Sequence, residues 1–208
     1  MRQARRHLLL ALGAALAAGG ARAQTAPRRS ARDPDAEAFV QVQAQKVLSV
    51  LADRGLSLAQ KEVAFRRLID QIADVPKITN FVLGKYARTI TPAQRAQFNS
   101  VFRTYAENVY QSRISEFRGE TLKVTGSVAR APGDVVVSTV VTGGGREPIP
   151  VSWRVLGAGG SWKVVDVQIR GVWLAITQQQ DFVSTIDNAG GDIGVLIAQL
   201  QRNPKPKS

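Results

Sequence analysis

Apolar and polar positions along the chain change their period near residue 120. Before that point the apolar positions recur at helical spacing, as in the stripe formed by Phe65, Leu68, Ile69 and Ile72. After it, four apolar or alternating segments are separated by glycine-rich turns. Helical spacing then returns and ends at Leu200. This order of helices, antiparallel sheet and helices predicts a single α+β domain without internal repeats.

Six helices are predicted, and residues that favour helix N-termini mark their starts. Ser57 with Gln60, and Thr91 with Gln94, have the spacing of a capping box. The predicted starts are Asp33-Pro34, Ser57, Pro76, Thr91-Pro92, Thr177 and Asp192, with the first helix running to about Arg54, the fourth ending near Gly119, the fifth ending at Asn188 and the last ending before Pro204.

Four strands are predicted, and the short turns between them favour an antiparallel, twisted sheet. The amphipathic helices can cover one of its faces. Alternation places Val151, Trp153 and Val155 on one face of the third strand, and Val165, Val167 and Ile169 together on the fourth. The predicted strands are Leu122–Val128, Val135–Thr142, Ile149–Leu156 and Trp162–Ile169.

The first 23 residues have the pattern of a secretory signal peptide. Arginines at positions 2, 5 and 6 precede the apolar stretch Leu8–Ala18, which is shorter than the roughly 20 residues that span a bilayer. Ala21-Arg22-Ala23 fits a cleavage site, so the mature chain would begin at Gln24. Residues 24–33 are then predicted to be a disordered linker, residues 34–203 the domain, and residues 204–208 a disordered basic tail. The alternative is a retained N-terminal anchor, which the small-residue site and the Pro/Arg-rich stretch after it disfavour.

The composition of the mature chain excludes several chemistries. The sequence has no Cys, and its one His and one Met both lie before the predicted cleavage site. An imidazole base, a thiol nucleophile, a zinc site built on nitrogen or sulfur ligands and a disulfide are therefore excluded. The formal charge of +12 falls to +8 without the four arginines of the leader, and to +4 for residues 34–203. This mildly basic surface lacks the dense basic stripe of a nucleic-acid-binding protein, and serves either solubility or weak attraction to anionic lipid headgroups.

Asp166 is the one acidic residue that the pattern singles out, because it interrupts the run Val164, Val165 and Val167. A buried acid on a strand can act as a general base, or it can form a structural pair with an arginine or lysine. The glycine runs match no phosphate-binding fingerprint and are interpreted as turns. The sequence gives no positive sign of catalysis.

Several segments in a fixed order resemble the MlaC (toluene-tolerance) family. The similarity extends over roughly Pro34 to Arg202, which is nearly all of the predicted mature chain. The segments that carry it are Val82-Leu83-Gly84-Lys85-Tyr86, Thr91-Pro92-Ala93-Gln94-Arg95 with Phe98, Phe102 and Tyr105, Trp153-Arg154, Trp162-Lys163-Val164-Val165-Asp166-Val167, Gly171-Val172, Phe182-Val183-Ser184-Thr185-Ile186 and Gly190-Gly191-Asp192.

The resemblance implies a periplasmic phospholipid carrier of a Gram-negative bacterium, with no catalysed reaction and no cofactor besides the lipid cargo. It implies an apolar pocket between the sheet and the helices. It also implies shuttling between an outer-membrane lipoprotein–porin complex and the substrate-binding ring protein of an inner-membrane ABC transporter, in a system that maintains outer-membrane lipid asymmetry. Trp173 and Arg170 depart from the residues expected at those places in relatives, which bears on pocket size and on headgroup or partner contacts.

Seven residues are predicted to line the pocket: Phe81, Phe102, Tyr105, Val151, Trp153, Val165 and Val167. Two other hypotheses remain beside the carrier. A periplasmic interaction module would have a filled core and an exposed apolar patch. An α+β enzyme would use Asp166 and would show a raised pKa for that residue.

Overall fold

The structure of the protein, a computed structural model, describes residues 32–115 and 117–202. The predicted signal peptide, most of the predicted linker and the predicted basic tail lie outside the described residues. Within these two ranges, no helix has a stretch that is long and apolar enough to cross a membrane.

Six α-helices and one short 3-10 helix form within the described ranges, and the predicted caps are in place. The side chain of Asp33 accepts a hydrogen bond from a first-turn N–H group of the first helix. Both reciprocal bonds of a capping box join Ser57 to Gln60, and both join Thr91 to Gln94. The helices are α1 (Pro34–Ala52), α2 (Leu58–Ile72), α3 (Val75–Val82), the 3-10 helix (Gly84–Arg88), α4 (Pro92–Ser115), α5 (Leu174–Asn188) and α6 (Ile193–Arg202).

The sheet is antiparallel throughout and has five strands in chain order, one more than the four predicted. The strands are β1 (Thr121–Ala131), β2 (Asp134–Gly143), β3 (Arg146–Leu156), β4 (Lys163–Ile169) and β5 (Val172–Trp173). The additional strand has two residues and folds back on β4 through Arg170 and Gly171, which both have positive φ. Two residues are too few to show alternation, which explains why the sequence pattern did not reveal β5.

Two helices begin earlier than predicted. Helix α3 begins at Val75 rather than Pro76, because the side chain of Asp74 caps it. Helix α5 begins at Leu174 rather than Thr177. Its first turn is held by Asp166 on β4, whose Oδ1 accepts the N–H of Ala175 at 2.8 Å. A cap supplied by a distant strand leaves no local signal at the helix start.

A β-bulge interrupts the predicted alternation in β4. Arg154 of β3 pairs with Asp166, but the next residue, Val155, pairs with Val164, so that Val165 is an extra residue in β4. The prediction that Val165 and Val167 share a face by simple alternation therefore does not hold. Instead, Val164 and Val167 pack in one apolar cluster with Val155.

The apolar interior is divided into two clusters. The sheet cluster joins one face of the sheet to α1 and α2, with Val40, Ile72, Val137 and Val155 at its centre. The helical cluster joins the 3-10 helix region, α3, α4, α5 and α6. Its buried members are Val82, Leu83, Ile90, Phe98, Phe102, Tyr105, Ala175, Phe182, Ile186, Ile193, Leu196, Ile197 and Leu200. One part of the boundary between these clusters is where α2, α3 and α4 meet, and another is where α5 packs on β4.

Candidate functional site

A cavity of about 110 Å³ lies at the boundary between the two clusters. Ile69 reaches it from the sheet-cluster side, whereas Ile78 and Phe102 reach it from the helical-cluster side. The remaining apolar lining residues are Phe65, Ala73, Val75 and Ala106. The structure thus has an apolar space where two separately packed halves of the protein meet.

The solvent side of this cavity is bordered by ion pairs that join α2 to α4. Arg103 Nη2 lies 2.7 Å from Asp70 Oδ1, and Arg66 Nε lies 3.1 Å from Glu107 Oε1. The earlier residue of one helix pairs with the later residue of the other, so the two helices run antiparallel here. All four side chains are partly exposed, and pairs of this kind contribute only about 0–1 kcal/mol each.

The junction of α2 and α3 is fixed to the sheet beside the cavity. Ala73 forms a parallel bridge with Val164, and the N–H of Asp74 donates to the carbonyl oxygen of Val164 at 2.9 Å. Lys163 donates to the carbonyl oxygen of Gln71 at the same place. The C-terminal end of α2 is therefore anchored to β4, whereas along the cavity α2 faces α4 through the two exposed ion pairs and through the partly buried Phe65 and Ile69. Ile72 is the one residue of α2 that is fully buried.

Phe102 and Tyr105, two of the predicted pocket residues, lie together in an aromatic group behind the cavity. The Phe102 ring stacks on that of Phe98 with centroids 5.6 Å apart, and its centroid is 6.3 Å from that of Tyr105. The hydroxyl of Tyr105 donates to Gln178 Oε1 at 2.6 Å, and burial raises the pKa of that phenol. Phe102 reaches the cavity directly, and Tyr105 supports it.

Val151, Trp153 and Val167 lie on the sheet, away from the lining of this cavity. Trp153 and Val167 are directly opposite each other in β3 and β4, and both pack against the sheet cluster. Trp153 Nε1 donates to Thr139 Oγ1 at 3.1 Å, and Thr139 donates to the carbonyl oxygen of Val151 at 2.8 Å. These residues form an apolar surface in the middle of the sheet, and the hydroxyl of Thr139 connects Trp153 to Val151 by hydrogen bonds.

The two other predicted pocket residues are placed differently. Val165 is buried at the bulge of β4. Phe81 on α3 is 37% exposed, and its carbonyl oxygen accepts a hydrogen bond from Gln179 Nε2 at 2.6 Å. The structure therefore brings one of the seven predicted residues, Phe102, to the lining of the cavity. Contact between the seven residues and a lipid stays a prediction.

Asp166 is buried and has a structural position. Its Oδ1 accepts the N–H groups of Val167 and Ala175, each at 2.8 Å, so the carboxyl ties β4 to the start of α5. Burial raises the pKa of Asp166 despite these hydrogen bonds. Arg154, the expected type of partner, instead forms a bidentate pair with Asp134 at 2.9 and 3.0 Å. Among the described residues there is no group of three or more His, Cys, Asp or Glu side chains arranged to hold a metal ion.

The sequence interpretation missed the charged border of the cavity and the contribution of α2. A signal for it was present, because Arg66 with Asp70, and Arg103 with Glu107, each place a cation and an acid four residues apart. Each of these pairs lies beside the apolar stripe of its own helix. Such spacing also occurs on ordinary solvated helix faces, so only the packing of α2 against α4 distinguishes it.

A second depression lies on the outer side of α1 and α2 and opens broadly to solvent. Its apolar lining comes from Val42, Val50 and Leu68, and its border carries Lys46 and Arg67. It is a surface groove between two adjacent helices, whereas the smaller cavity lies between the two apolar clusters. The smaller cavity is therefore the candidate functional site.

The fold and site together define an α+β binding protein in which helices enclose an apolar space beside a meander sheet. The profile of the MlaC protein family matches residues 41–202, and the chain belongs to that family. One relative is the toluene tolerance protein ttg2D of Pseudomonas putida, 24% identical over 135 residues that cover 64% of this chain and 63% of that protein. The matched segment thus spans just under two thirds of that relative.

A solved structure is similar over a longer stretch. It is a phospholipid-binding protein from Ralstonia solanacearum, determined in complex with a phospholipid. It is 31% identical to this chain, covers 82% of this chain and 97% of its own length, and superposes with a TM-score of 0.70.

Proposed function

We propose that this protein is a periplasmic phospholipid carrier that moves lipid between the outer and inner membranes. The observation that carries the proposal is the phospholipid complex of the Ralstonia solanacearum relative, which matches this chain over 97% of that relative's length. Membership of the MlaC family and the apolar space between α2, α3 and α4 support it. The signal-peptide pattern of the first 23 residues supports export.

Transport through water requires nearly complete burial of the acyl chains. Each exposed CH₂ group costs about 0.8 kcal/mol, so two chains of roughly sixteen carbons would cost about 25 kcal/mol. Release must therefore take place on a docked partner. We assign that role to the substrate-binding ring protein of an inner-membrane ABC transporter at one end and to an outer-membrane lipoprotein–porin complex at the other, in a system that keeps the outer membrane asymmetric. The function needs apolar area rather than a catalytic group.

Binding requires the site to enlarge. The cavity of about 110 Å³ is well below the roughly 300–1,000 Å³ of pockets for drug-sized ligands. The weakly held contact between α2 and α4 is the natural place for the two apolar clusters to separate. Separation would also expose the sheet surface around Trp153, Val151 and Val167 to the acyl chains, which keeps those residues in the proposed pocket.

The test is mass spectrometry of an organic extract of the full chain, exported to the periplasm of a Gram-negative host and purified without detergent. We expect about one phospholipid per protein. Ile69→Glu should abolish the bound lipid because it puts a carboxylate in the cavity, and Val167→Glu should do so from the sheet. Val63→Glu, on an exposed position of the same helix as Ile69, is the matched control for the first variant, and Val128→Glu is the control for the second.

A well-folded wild-type protein that carries no lipid, and takes none from vesicles, would contradict the carrier function. That result would favour an interaction module with a filled core, the second candidate. One observation supports this alternative: Val172, Leu174 and Ile176, at the β5–α5 junction, are all at least 40% exposed. Val172→Ser with Leu174→Ser should then abolish partner capture in periplasmic crosslinking, while lipid content stays at zero.

A further inference from the structure

The two arginines at the border of the cavity are each held by an acid of the opposite helix. Arg66 on α2 pairs with Glu107 on α4, and Arg103 on α4 pairs with Asp70 on α2. The arginine side chains are 45% and 50% exposed, more than the carboxylates that they contact. Both cations are therefore accessible from solvent at the edge of an apolar space.

This arrangement matches the layout of a phospholipid. Directly inside the charged border, Phe65, Ile69 and Phe102 line the cavity. An amphiphile whose chains lie against these residues has its phosphate at the border. The planar guanidinium group of arginine binds a phosphate through two parallel hydrogen bonds, as it binds a carboxylate.

We propose that Arg66 and Arg103 form the phosphate-binding subsite of the carrier, and that Glu107 and Asp70 occupy it as intramolecular substitutes until lipid enters. This proposal rests on the carrier function proposed above. Entry of the phosphate exchanges the carboxylate contacts for phosphate contacts. Because the same carboxylate contacts join α2 to α4, the exchange also loosens the contact between these two helices, while α2 stays packed on α1 and anchored to β4 at Ala73. Headgroup binding and opening of the cavity are then one event.

The exchange makes the two kinds of partner act in opposite directions. Removing the arginines removes the phosphate ligands, so lipid binding falls. Removing the carboxylates frees the arginines and loosens the contact of α2 with α4, so lipid binding is faster. If the pairs merely held the helices together, loss of either partner would have the same effect. Whether lipid uptake rises or falls in the carboxylate variants therefore distinguishes a phosphate subsite from ion pairs that only hold the helices together.

The experiment measures lipid transfer from vesicles to the delipidated full-length mature protein, by mass spectrometry of the re-isolated protein. The vesicles are phosphatidylcholine with either phosphatidylglycerol or a diacylglycerol of the same chains, which lacks the phosphate. Arg66→Gln with Arg103→Gln should lower the phosphatidylglycerol load about tenfold and leave the diacylglycerol load unchanged. Asp70→Asn with Glu107→Gln should raise the rate of phosphatidylglycerol uptake.

Two further variants control for folding and for general charge effects. Arg66→Lys with Arg103→Lys keeps both charges but removes the planar fork, and should give an intermediate load even if the glutamine variant folds poorly. Lys85→Gln removes an exposed ion pair with Asp187, between the 3-10 helix and α5, and should leave uptake unchanged. Thermal unfolding of each variant establishes that it is folded.

Two results would overturn the subsite while leaving the carrier function intact. One is normal phosphatidylglycerol loading of both arginine variants. The other is a shift of loading in the same direction by the arginine and the carboxylate variants. A wild-type protein that takes up no phosphatidylglycerol, phosphatidylcholine or diacylglycerol would instead overturn the carrier function and the subsite together.

Discussion

Arg154 lies opposite Asp166 in the register of β3 and β4, yet its guanidinium group pairs with Asp134 on β2. The two acids on either side of Arg154 consequently have opposite pKa shifts. The hydrogen bond from Arg154 lowers the pKa of Asp134, whereas burial raises the pKa of Asp166. Asp166 is satisfied by backbone N–H groups at the start of α5 instead.

The stability of the Asp166→Asn variant, measured relative to wild type, should be higher at neutral pH than in acid. The pKa of Asp166 is higher in the folded protein than in the unfolded chain. Its contribution to folding is therefore fully present below the unfolded-state pKa and is lost as pH rises through the folded-state pKa. Asparagine cannot ionise but still accepts N–H groups. The free energy of unfolding of the variant, relative to wild type, should rise between about pH 3 and pH 7 in urea titrations.

Asp166→Ala is the companion variant for this site. It leaves the N–H groups of Val167 and Ala175 without their acceptor, and should cost about 1–3 kcal/mol in acid, with a cost that shrinks as pH rises in parallel with Asp166→Asn. A relative stability of Asp166→Asn that falls with rising pH would contradict the raised pKa. A catalytic role would instead require an activity that Asp166→Asn abolishes without changing stability.

Asp134→Asn should have the opposite pH dependence. Arg154 lowers the folded-state pKa of Asp134, so the stabilisation is present above the unfolded-state pKa and is lost as pH falls through the folded-state value. The variant should lose about 1 kcal/mol near pH 7 and less near pH 2, because the pair is only partly buried. A double-mutant cycle with Arg154→Gln measures the coupling. Equal losses at both pH values would mean that the pair does not control the pKa.

Much of the fold follows from the sequence because its signals are local. The capping boxes at Ser57 and Thr91, the apolar stripes and the glycine turns each act within a few residues. The features that were wrong or absent depend on contacts between distant segments. The start of α5 depends on Asp166, and the face of the sheet on which each β4 side chain lies depends on the bulge at Val165. An alternating sequence pattern does not reveal where a strand contains an inserted residue. One insertion moves every later side chain of the strand to the other face of the sheet.

The candidate site was harder to predict than the fold for the same reason. Aromatic residues of α4 could be chosen from their stripe, and Phe102 does reach the cavity. The cavity is closed by α2 because α2 packs against α4. The sequence shows Ile69 as part of an apolar helical stripe, but it does not show that Ile69 lines a cavity. The family resemblance indicated a pocket between sheet and helices, whereas the cavity is lined by residues of α2, α3, α4 and the α2–α3 junction. The resemblance did not identify Arg66 or Arg103 at the border of that cavity.

Thr139→Val should weaken the centre of the sheet. Thr139 accepts the Nε1–H of Trp153 and donates to the carbonyl oxygen of Val151, while itself being almost fully buried. Valine matches the shape of threonine but leaves the indole N–H unpaired, which costs about 1–3 kcal/mol. Chemical denaturation provides the measurement, and Thr139→Ser, which keeps the hydroxyl, should recover part of the loss. A valine variant as stable as wild type would show that the hydroxyl contributes nothing.

Gly84→Ala should destabilise the contact between the 3-10 helix and α5. Gly84 has φ +54°, and a Cβ there would lie 2.7 Å from Val183 Cγ2, closer than real Cβ contacts. Backbone strain of about 1–2 kcal/mol then adds to overpacking of about 1–3 kcal/mol. Gly171→Ala is the matched control, because φ is +88° but no heavy atom lies within 4 Å of its Cβ.

Thermal or urea unfolding of the Gly171→Ala control separates the backbone strain from the overpacking in Gly84→Ala. Gly171→Ala should show the strain alone, so it should lose less stability than Gly84→Ala. Adding Val183→Ala to Gly84→Ala should recover the overpacking part, since it removes the atom that the new methyl group meets. Equal losses for the two glycine variants, with no recovery in the double variant, would mean that backbone conformation alone requires glycine at position 84 and that the approach of α5 imposes no further constraint.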